Sequence, residues 1–320
     1  MITRRSLGAL AVGAGLPLPA LAQGLSNRPI RLVIPFTPAG TTDLVGRLTA
    51  ERLSARLGQQ VVVDNRPGAS GNVGGEFVAR AEPDGHTLLL TTIGTGAINF
   101  AVFGNRMPFK PEDLAAVGLM CRVPNVLMAA NRMPIRTLAD MVREAKAKPG
   151  ALNYGIGNAG GLGGTHLLSQ AAGFKAEQIS YRGTPQAMAD LLGGRLHFLV
   201  TDLGPAVEHL RAGTIRALAV TTARRVETLP DVPTVAEAAL PGFDFASWNG
   251  SWMPARTPPA IIARLNREMV TIGQSDEAKR HIGALGIVST TSTPEALGEF
   301  NRRELELWAR IAAEANVAKE

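Results

Sequence analysis

Short, apolar, strand-like runs alternate with longer helical patterns along most of the chain. In the first third, residues 30–35, 61–64 and 87–92 predict strands, and amphipathic patterns at 44–57 and 72–81 predict the helices between them. A βαβαβ series of this kind implies a parallel sheet with helices on its faces, connected by right-handed crossovers. The pattern therefore predicts the α/β class.

A second series of the same kind occupies the middle of the chain. It predicts helices at 138–147, 165–172, 185–192 and 205–212, and strands at 152–155, 178–181, 196–201 and 215–221. An extended run, DFASWNGSWMPA, then leads to predicted helices at 259–272, 277–285 and 294–313. Two series with a return crossing predict two lobes, each a mostly parallel sheet flanked by helices, joined by a two-segment hinge. We expect residues 23–124 plus 246–320 in the first lobe and residues 125–245 in the second.

The first residues have the pattern of an export signal. They read MITRRSLGALAVGAGLPLPALAQG, with a short basic region, an apolar stretch and the cleavage motif Ala20-Leu21-Ala22. The apolar stretch is too short to span a bilayer. We expect residues 1–22 to be removed and the mature protein to work in the periplasm. The paired arginines also fit twin-arginine export, so both export routes stay open.

Charge and cysteine content exclude several classes of protein. The formal net charge is +6, and it falls to +4 without Arg4 and Arg5. The other basic residues are scattered among acidic ones and aromatic residues make up 5%, so no nucleic-acid partner is expected. Cys121 is the single cysteine, so an internal disulfide is excluded and a large apolar core must stabilise the chain. No segment predicts stable insertion into a membrane.

The loops that follow the predicted strands share one composition. They are rich in glycine, threonine, serine and asparagine, and they cover residues 35–43, 65–72, 91–97, 154–166, 181–185 and 201–205. In parallel sheets these loops line the ligand crevice, and the helix N-termini that follow them present unpaired N–H groups. Several such N-termini directed into one cleft favour a carboxylate or a phosphate.

One of these loops also matches a dinucleotide-binding pattern. Gly155, Gly157 and Gly160 fit G-x-G-x-x-G between a predicted strand and a predicted helix. A nicotinamide site needs an acidic residue at the end of the next strand, but Glu177 falls at the start of that strand. Arg182 could instead hold a 2′-phosphate, so this alternative stays open.

Signatures of catalysis and of metal binding are missing from the sequence. The run GASGN lacks the last glycine of a nucleophile elbow, and the five histidines have no metal-ligand spacing with one another or with Cys121. We expect no catalytic residue, no metal and no cofactor. His166 either donates to an anion or only occupies the first turn of its helix. Asp43 is expected mainly to stabilise a helix N-terminus. An exported enzyme that uses the same cleft stays an alternative.

Three stretches resemble the Bug family of periplasmic solute receptors, which serve tripartite tricarboxylate transporters. They read RLVIPFTPAGTTDLVGRLTAERLSARLGQQVVVDNRPGASGNVGGEFVARAEPDGHTLLL, LNYGIGNAGGLGGTHL and IRALAVTTARRVETLPDVPTVAEAALPGF. The resemblance covers nearly all of the mature chain. It implies a two-lobed periplasmic-binding-protein (Venus flytrap) fold, a small carboxylic-acid solute and a membrane permease as partner.

The resemblance also implies which residues bind the solute. In the first lobe they are Thr37, Ala39, Gly40, Thr41 and Thr42, with Ser70 and Thr92 nearby; in the second they are Asn158, Gly160, Thr165 and His166, with Tyr181 and Asp202 near the rim. Many family members read P-G-G in the first loop, where this chain has Pro38-Ala39-Gly40. The methyl group of Ala39 restricts that loop. The identity of the solute, and whether it serves transport or signalling, does not follow from the sequence.

Overall fold

A computed structural model describes residues 26–314, so the predicted export signal lies outside the described residues. The strands are β1 (Ile30–Ile34), β2 (Val61–Asn65), β3 (Thr87–Thr92), β4 (Leu114–Ala130), β5 (Asn153–Ile156), β6 (Glu177–Ser180), β7 (Phe198–Asp202), β8 (Ile215–Val220), β9 (Ala246–Pro254) and β10 (Val288–Ser289). The helices are α1 (Thr41–Leu57), α2 (Asn72–Ala79), α3 (Asn99–Phe103), α4 (Leu138–Ala147), α5 (Ala159–Ala172), α6 (Thr184–Leu192), α7 (Leu203–Arg211), α8 (Val235–Ala238), α9 (Pro259–Gln274), α10 (Asp276–Gly283) and α11 (Pro294–Glu314).

The strands of the first series lie in the order β2-β1-β3-β9-β4, and β10 pairs with β4. Strand β1 is parallel to both β2 and β3, as the βαβαβ pattern predicts. Strand β9 is antiparallel to β3 and to β4. The return crossing therefore inserts β9 between β3 and β4.

The strands of the second series lie in the order β4-β7-β5-β6, and β8 also pairs with β4. Strand β5 is parallel to β6 and β7, whereas β4 is antiparallel to β7 and β8. The long strand β4 belongs to both groups. It pairs with β9 over residues 114–124 and with β7 from Asn125 onward. The predicted lobe boundary at 124/125 stays a prediction, and this change of partner supports it.

Helices cover both faces of each group of strands, which explains the long apolar runs of the sequence. In the first group, one buried cluster lies between the strands and α1, α9 and α10, and another includes Trp248 and Trp252 of β9 and Trp308 of α11. In the second group, one cluster includes residues of α4, α5 and α8, and the other includes residues of α6 and α7. Within residues 26–314 no helix is long and apolar enough to cross a membrane.

Helix α5 differs most from the prediction. It begins at Ala159, so the predicted start near Thr165 is wrong. The Asn158 side chain caps the helix, since its Oδ1 accepts a hydrogen bond from the Gly161 N–H at 2.6 Å. The glycines of this first turn have low helix propensity, which makes the segment resemble a loop. Tertiary packing overrides that propensity. The other helix starts differ less: α1 begins at Thr41 and α7 at Leu203.

Candidate functional site

The carboxyl ends of two sets of parallel strands face each other across β4 and β9. Thr92, the last residue of β3, pairs with Asn249 of β9, which in turn pairs with Cys121 of β4. Asp202, the last residue of β7, pairs with Asn125 of β4. Strands β3 and β7 run in opposite directions, and four residues of β4 separate their ends, about 13 Å at 3.3 Å per residue. This arrangement forms a crevice with β4 and β9 as its floor.

Helix N-termini from both sides approach each other over this crevice. A methyl group placed on Gly204, in the first turn of α7, would lie 3.8 Å from Oγ1 of Thr41, the first residue of α1. A methyl group placed on Gly94, which follows β3, would lie 2.9 Å from Cβ of Ala159, the first residue of α5. Because α1, α5 and α7 begin close together, their positive dipole ends and unpaired N–H groups favour an anion.

Asp43 fixes the conformation of the first loop. Its Oδ2 accepts a hydrogen bond from the Ala39 N–H at 2.9 Å, and its Oδ1 accepts one from Asn65 Nδ2 at 2.9 Å. Arg47 Nε donates to Oδ2 at 2.8 Å. Burial opposes ionisation of Asp43, but these hydrogen bonds outweigh it and lower its pKa. Ala39 takes up the left-handed conformation (φ 69°) that glycine adopts more easily. Its N–H is therefore already engaged within the loop.

The loop after β2 carries a second cluster of unusual backbone angles. Ala69 and Ser70 both have positive φ, at 44° and 57°. The Ser70 carbonyl accepts hydrogen bonds from Asn99 Nδ2 at 3.0 Å and from Thr95 Oγ1 at 3.3 Å. The Ser70 side chain itself is exposed. Strained residues of this kind concentrate at ligand sites when neighbouring groups hold them in place.

In the second lobe, several predicted residues face other protein groups. Asn158 caps α5, and its Nδ2 donates to Thr201 Oγ1 at 3.3 Å. Thr165 is fully buried in the second turn of α5, and its hydroxyl has no hydrogen-bond partner among the described residues. His166, which follows it, is partly exposed. Neither residue is at the helix start, where it was expected.

Tyr181 is tied to α6 by its hydroxyl group. The hydroxyl donates to Asp190 Oδ2 at 2.8 Å, and Asp190 Oδ1 is paired with Arg195 at 2.9 Å. Loss of solvation and the neighbouring Asp190 raise the pKa of Tyr181 to about 12. The tyrosine hydroxyl is therefore neutral at physiological pH and directed at its own lobe.

Asp202 belongs to a polar cluster on the floor of the crevice. Its Oδ1 accepts a hydrogen bond from Asn125 Nδ2 at 3.2 Å. The Asn125 Oδ1 accepts from both the N–H and the hydroxyl of Ser247, each at 3.1 Å. Burial raises the pKa of Asp202 to about 6, against the opposing effect of hydrogen bonds from Ser247 and Asn125. Asn125 and Ser247 are absent from the predicted site; a polar residue within an apolar strand was the available signal.

The structure thus divides the predicted site residues into three groups. Residues at strand ends, at helix starts or in the loop between β1 and α1 are Thr37, Ala39, Gly40, Thr41, Thr42, Thr92, Asn158, Gly160 and Asp202. Ser70 lies in the neighbouring strained loop, and Tyr181 directs its hydroxyl at α6. Thr165 and His166 lie further along α5. Thr42 is buried in the first turn of α1.

Packing accounts for the glycines of the G-x-G-x-x-G pattern. A methyl group on Gly155 would lie 2.6 Å from Leu196 Cδ1, and one on Gly157 would lie 2.5 Å from the Thr184 backbone. A methyl group on Gly160 would overlap Ser247 Oγ. Each glycine is thus required because a side chain there would clash with neighbouring protein atoms. Contact with a bound dinucleotide is not needed to explain the pattern. Among residues 26–314 no group of three or more His, Cys, Asp or Glu side chains is placed to hold a metal ion.

Comparison with known proteins identifies the family. Residues 45–316 match the tripartite tricarboxylate transporter family receptors. The chain belongs to this family. It is 33% identical over 316 residues to Protein BugT of Bordetella pertussis, covering 96% of this chain and 95% of BugT. The predicted Bug-family resemblance is confirmed.

Two solved structures are similar to this chain over most of their length. R. palustris Rpa4515 with adipate has 35% sequence identity and a TM-score of 0.82, covering 90% of this chain and 97% of that one. MatC from Rhodopseudomonas palustris with bound malate has 28% identity and a TM-score of 0.78, covering 89% and 99%. These similarities confirm the predicted two-lobed periplasmic-binding-protein fold. The matched family consists of receptors and not of enzymes, and this chain belongs to it.

Proposed function

We propose that this chain is a periplasmic receptor that binds a small carboxylate-bearing solute in the crevice and delivers it to the permease of a tripartite tricarboxylate transporter. The observation that carries the proposal is the convergence of the N-termini of α1, α5 and α7 over the crevice. Relatives with bound adipate and malate support the carboxylate as the ligand group. Family membership and the predicted export signal support the permease and the periplasm.

Main-chain donors are proposed to supply most of the binding energy. The first N–H groups of a helix have no partner within the helix, and a carboxylate can accept from several of them at once. The residues proposed to surround the solute are Thr37, Ala39, Gly40, Thr41, Thr42, Ser70, Thr92, Asn158, Gly160, Thr165, His166, Tyr181 and Asp202. Among these, the groups next to Thr41, Ala159 and Gly204 are expected to contribute most.

Binding is proposed to close the two lobes, 23–124 plus 246–320 and 125–245. A ligand shifts such an equilibrium only by the difference between its affinities for the two states. Donors from α1 on one side and from α5 and α7 on the other reach one carboxylate only when the lobes are together. The solute would then stabilise the closed form, which is the form a permease can distinguish from the empty receptor.

Native mass spectrometry and calorimetry test the proposal. The mature protein should carry, or take up, one carboxylic acid per chain. A calorimetric panel of adipate, malate, succinate, citrate, glutamate and benzoate should include at least one binder, and hexane-1,6-diol, which matches adipate without its charges, should not bind. If no acid of the panel binds, the proposal fails. If a bound acid is converted into a product, the exported-enzyme alternative replaces it.

A further inference from the structure

Asp202 differs from the other proposed site residues because its side chain carries a negative charge. Its hydrogen-bond partners, Asn125 and Ser247, are neutral, and Gly160 of α5 brings only main chain against it. Within residues 26–314 the carboxylate forms no ion pair with Lys or Arg. Its charge also helps to raise the pKa of the buried Cys121 thiol, although burial of that thiol is the larger cause. A carboxylate without a cation therefore lies in a crevice suited to anions.

The carboxylate of Asp202 retains capacity to accept hydrogen bonds. An ionised carboxylate offers about four lone-pair positions. Asn125 donates to Oδ1, and the Ser247 hydroxyl is shared with Asn125 Oδ1. The residue is partly exposed, and it directly precedes α7, whose Gly204 approaches Thr41 of the opposite lobe. The carboxylate therefore has unused acceptor positions at the end of β7, where that strand meets the crevice.

If the lobes closed over the Asp202 carboxylate, its unused hydrogen-bond positions would raise the free energy of the closed form. Water that solvates the carboxylate is displaced on closure, and a charged group that loses solvent without gaining a donor is strongly unfavourable. A solute that offers only further negative charge adds repulsion. A solute with a hydrogen-bond donor removes both problems.

We propose that Asp202 accepts a hydrogen bond from the solute, and that the receptor selects carboxylates that also carry a hydroxyl or ammonium group. This inference rests on the proposed function. In it, the helix N-termini bind the carboxylate and Asp202 binds the donor. Because the pKa of Asp202 is raised only to about 6, the ionised, acceptor-only form predominates at pH 7.5.

Matched pairs of acids test this selection by calorimetry at pH 7.5. Malate and succinate differ by one hydroxyl, aspartate and succinate by one ammonium group, and mandelate and phenylacetate by one hydroxyl on an aromatic acid. We expect the donor-bearing member of each pair that binds to be favoured by about tenfold or more. In Asp202→Asn, which keeps the shape but removes the charge, the ratio should fall to within about threefold. Asp276→Asn, at an exposed position of α10, should leave the ratio unchanged.

The ratio within a pair separates selection from structural damage, because a damaged crevice weakens both acids alike. Equal affinities within every pair that binds the unmodified protein would overturn the inference and leave the proposed function standing. An unchanged ratio in Asp202→Asn would overturn it as well. If no member of any pair binds the unmodified protein, the proposed function fails and this inference fails with it.

Discussion

Two carboxylates of the crevice show how their surroundings decide their charge. Asp43 is surrounded by donors, with Arg47, Asn65 and the Ala39 N–H around it, and its pKa is lowered. Asp202 has two neutral partners and its pKa is raised to about 6. The Asp43 carboxylate therefore stays ionised and holds the first loop in place through its hydrogen bonds. Asp202 ionises at a cost to the folded state.

That cost predicts a pH-dependent effect of Asp202→Asn. Stability associated with the protonated Asp202 is fully present below its ordinary pKa of 3.8 and is lost as the pH rises through about 6. The variant cannot ionise, so its free energy of unfolding at pH 7.5 should exceed that of the unmodified protein by about 1–3 kcal/mol. At pH 4 the difference should be close to zero. Urea denaturation at both pH values measures it. Asp231→Asn, at an exposed loop position, is the control, and an equal gain of Asp202→Asn at both pH values would contradict the assignment.

At the scale of elements, α5 shows how packing overrides local preference. Its first turns contain glycines because the helix lies directly against β7 and α11. A methyl group on Gly161 would overlap the Val200 carbonyl oxygen, and one on Gly163 would lie 2.5 Å from Trp308 Cη2. The glycines thus allow the helix N-terminus to reach the floor of the crevice.

Substitution of glycine by alanine should therefore have opposite effects in two helices. Helix propensity alone predicts that either change stabilises. Gly161→Ala should instead lower the free energy of unfolding by about 1–3 kcal/mol, since the overlapping Val200 oxygen belongs to the backbone and moves little. Gly283→Ala, at the end of α10 with nothing within 4 Å, should raise it by about 0.5–1 kcal/mol. Thermal denaturation compares the two variants. A stabilising Gly161→Ala would show that α5 is not packed against β7 as described.

The same elements show what can be predicted from the sequence. Strands and helices with clear periodicity are predicted to within a few residues, and β3 and α4 match at both ends. The start of α5 is not predicted to within a few residues, because its local composition is that of a loop. The pairing of Asn125 with Ser247 is not predicted either, because the two residues are 122 positions apart and a polar residue within an apolar strand does not indicate its partner. Local preferences predict elements, whereas the floor of the crevice depends on which distant strands meet.

At the scale of the whole molecule, the crevice is narrow where α1 and α7 approach. Gly204 and Thr41 come from opposite sides of the crevice, but a Cβ placed on Gly204 would lie only 3.8 Å from Thr41 Oγ1. The one cysteine, Cys121, is buried, and burial raises the pKa of its thiol to about 12, so it stays unreactive. New cysteines can therefore be introduced at the mouth of the crevice without interference.

A disulfide between Thr41→Cys and Gly204→Cys should hold the two lobes of the receptor together. A Cβ built on Gly204 lies 3.8 Å from Thr41 Oγ1, the atom that the sulfur of Thr41→Cys would replace, so the two new sulfurs can meet after a small adjustment. Under oxidising conditions the double variant should exchange bound acid at least about tenfold more slowly than after reduction, because both lobes must separate for release. Stopped-flow displacement by excess unlabelled acid measures the exchange rate. Gly204→Cys alone is the control, and equal rates in both redox states would show that release does not require separation.

Strand β4 restricts any exchange of lobes between related receptors, because the number of its residues at the junction must be kept. Side chains alternate along a regular strand with a period of two, and β4 passes from one group of strands to the other at Pro124 and Asn125 with no register shift there, since its irregularities against β9 lie between Ala116 and Cys121. Residues 121–130 of β4 therefore share one alternation across the junction. A graft of residues 125–245 from a relative can replace loops and helices freely, but one residue added or lost at the junction would turn Val126 and Met128 away from the core they share with α6 and α7. Insertions are therefore expected to be tolerated in the loops at the mouth of the crevice, but not within residues 121–130 of the strand beneath it.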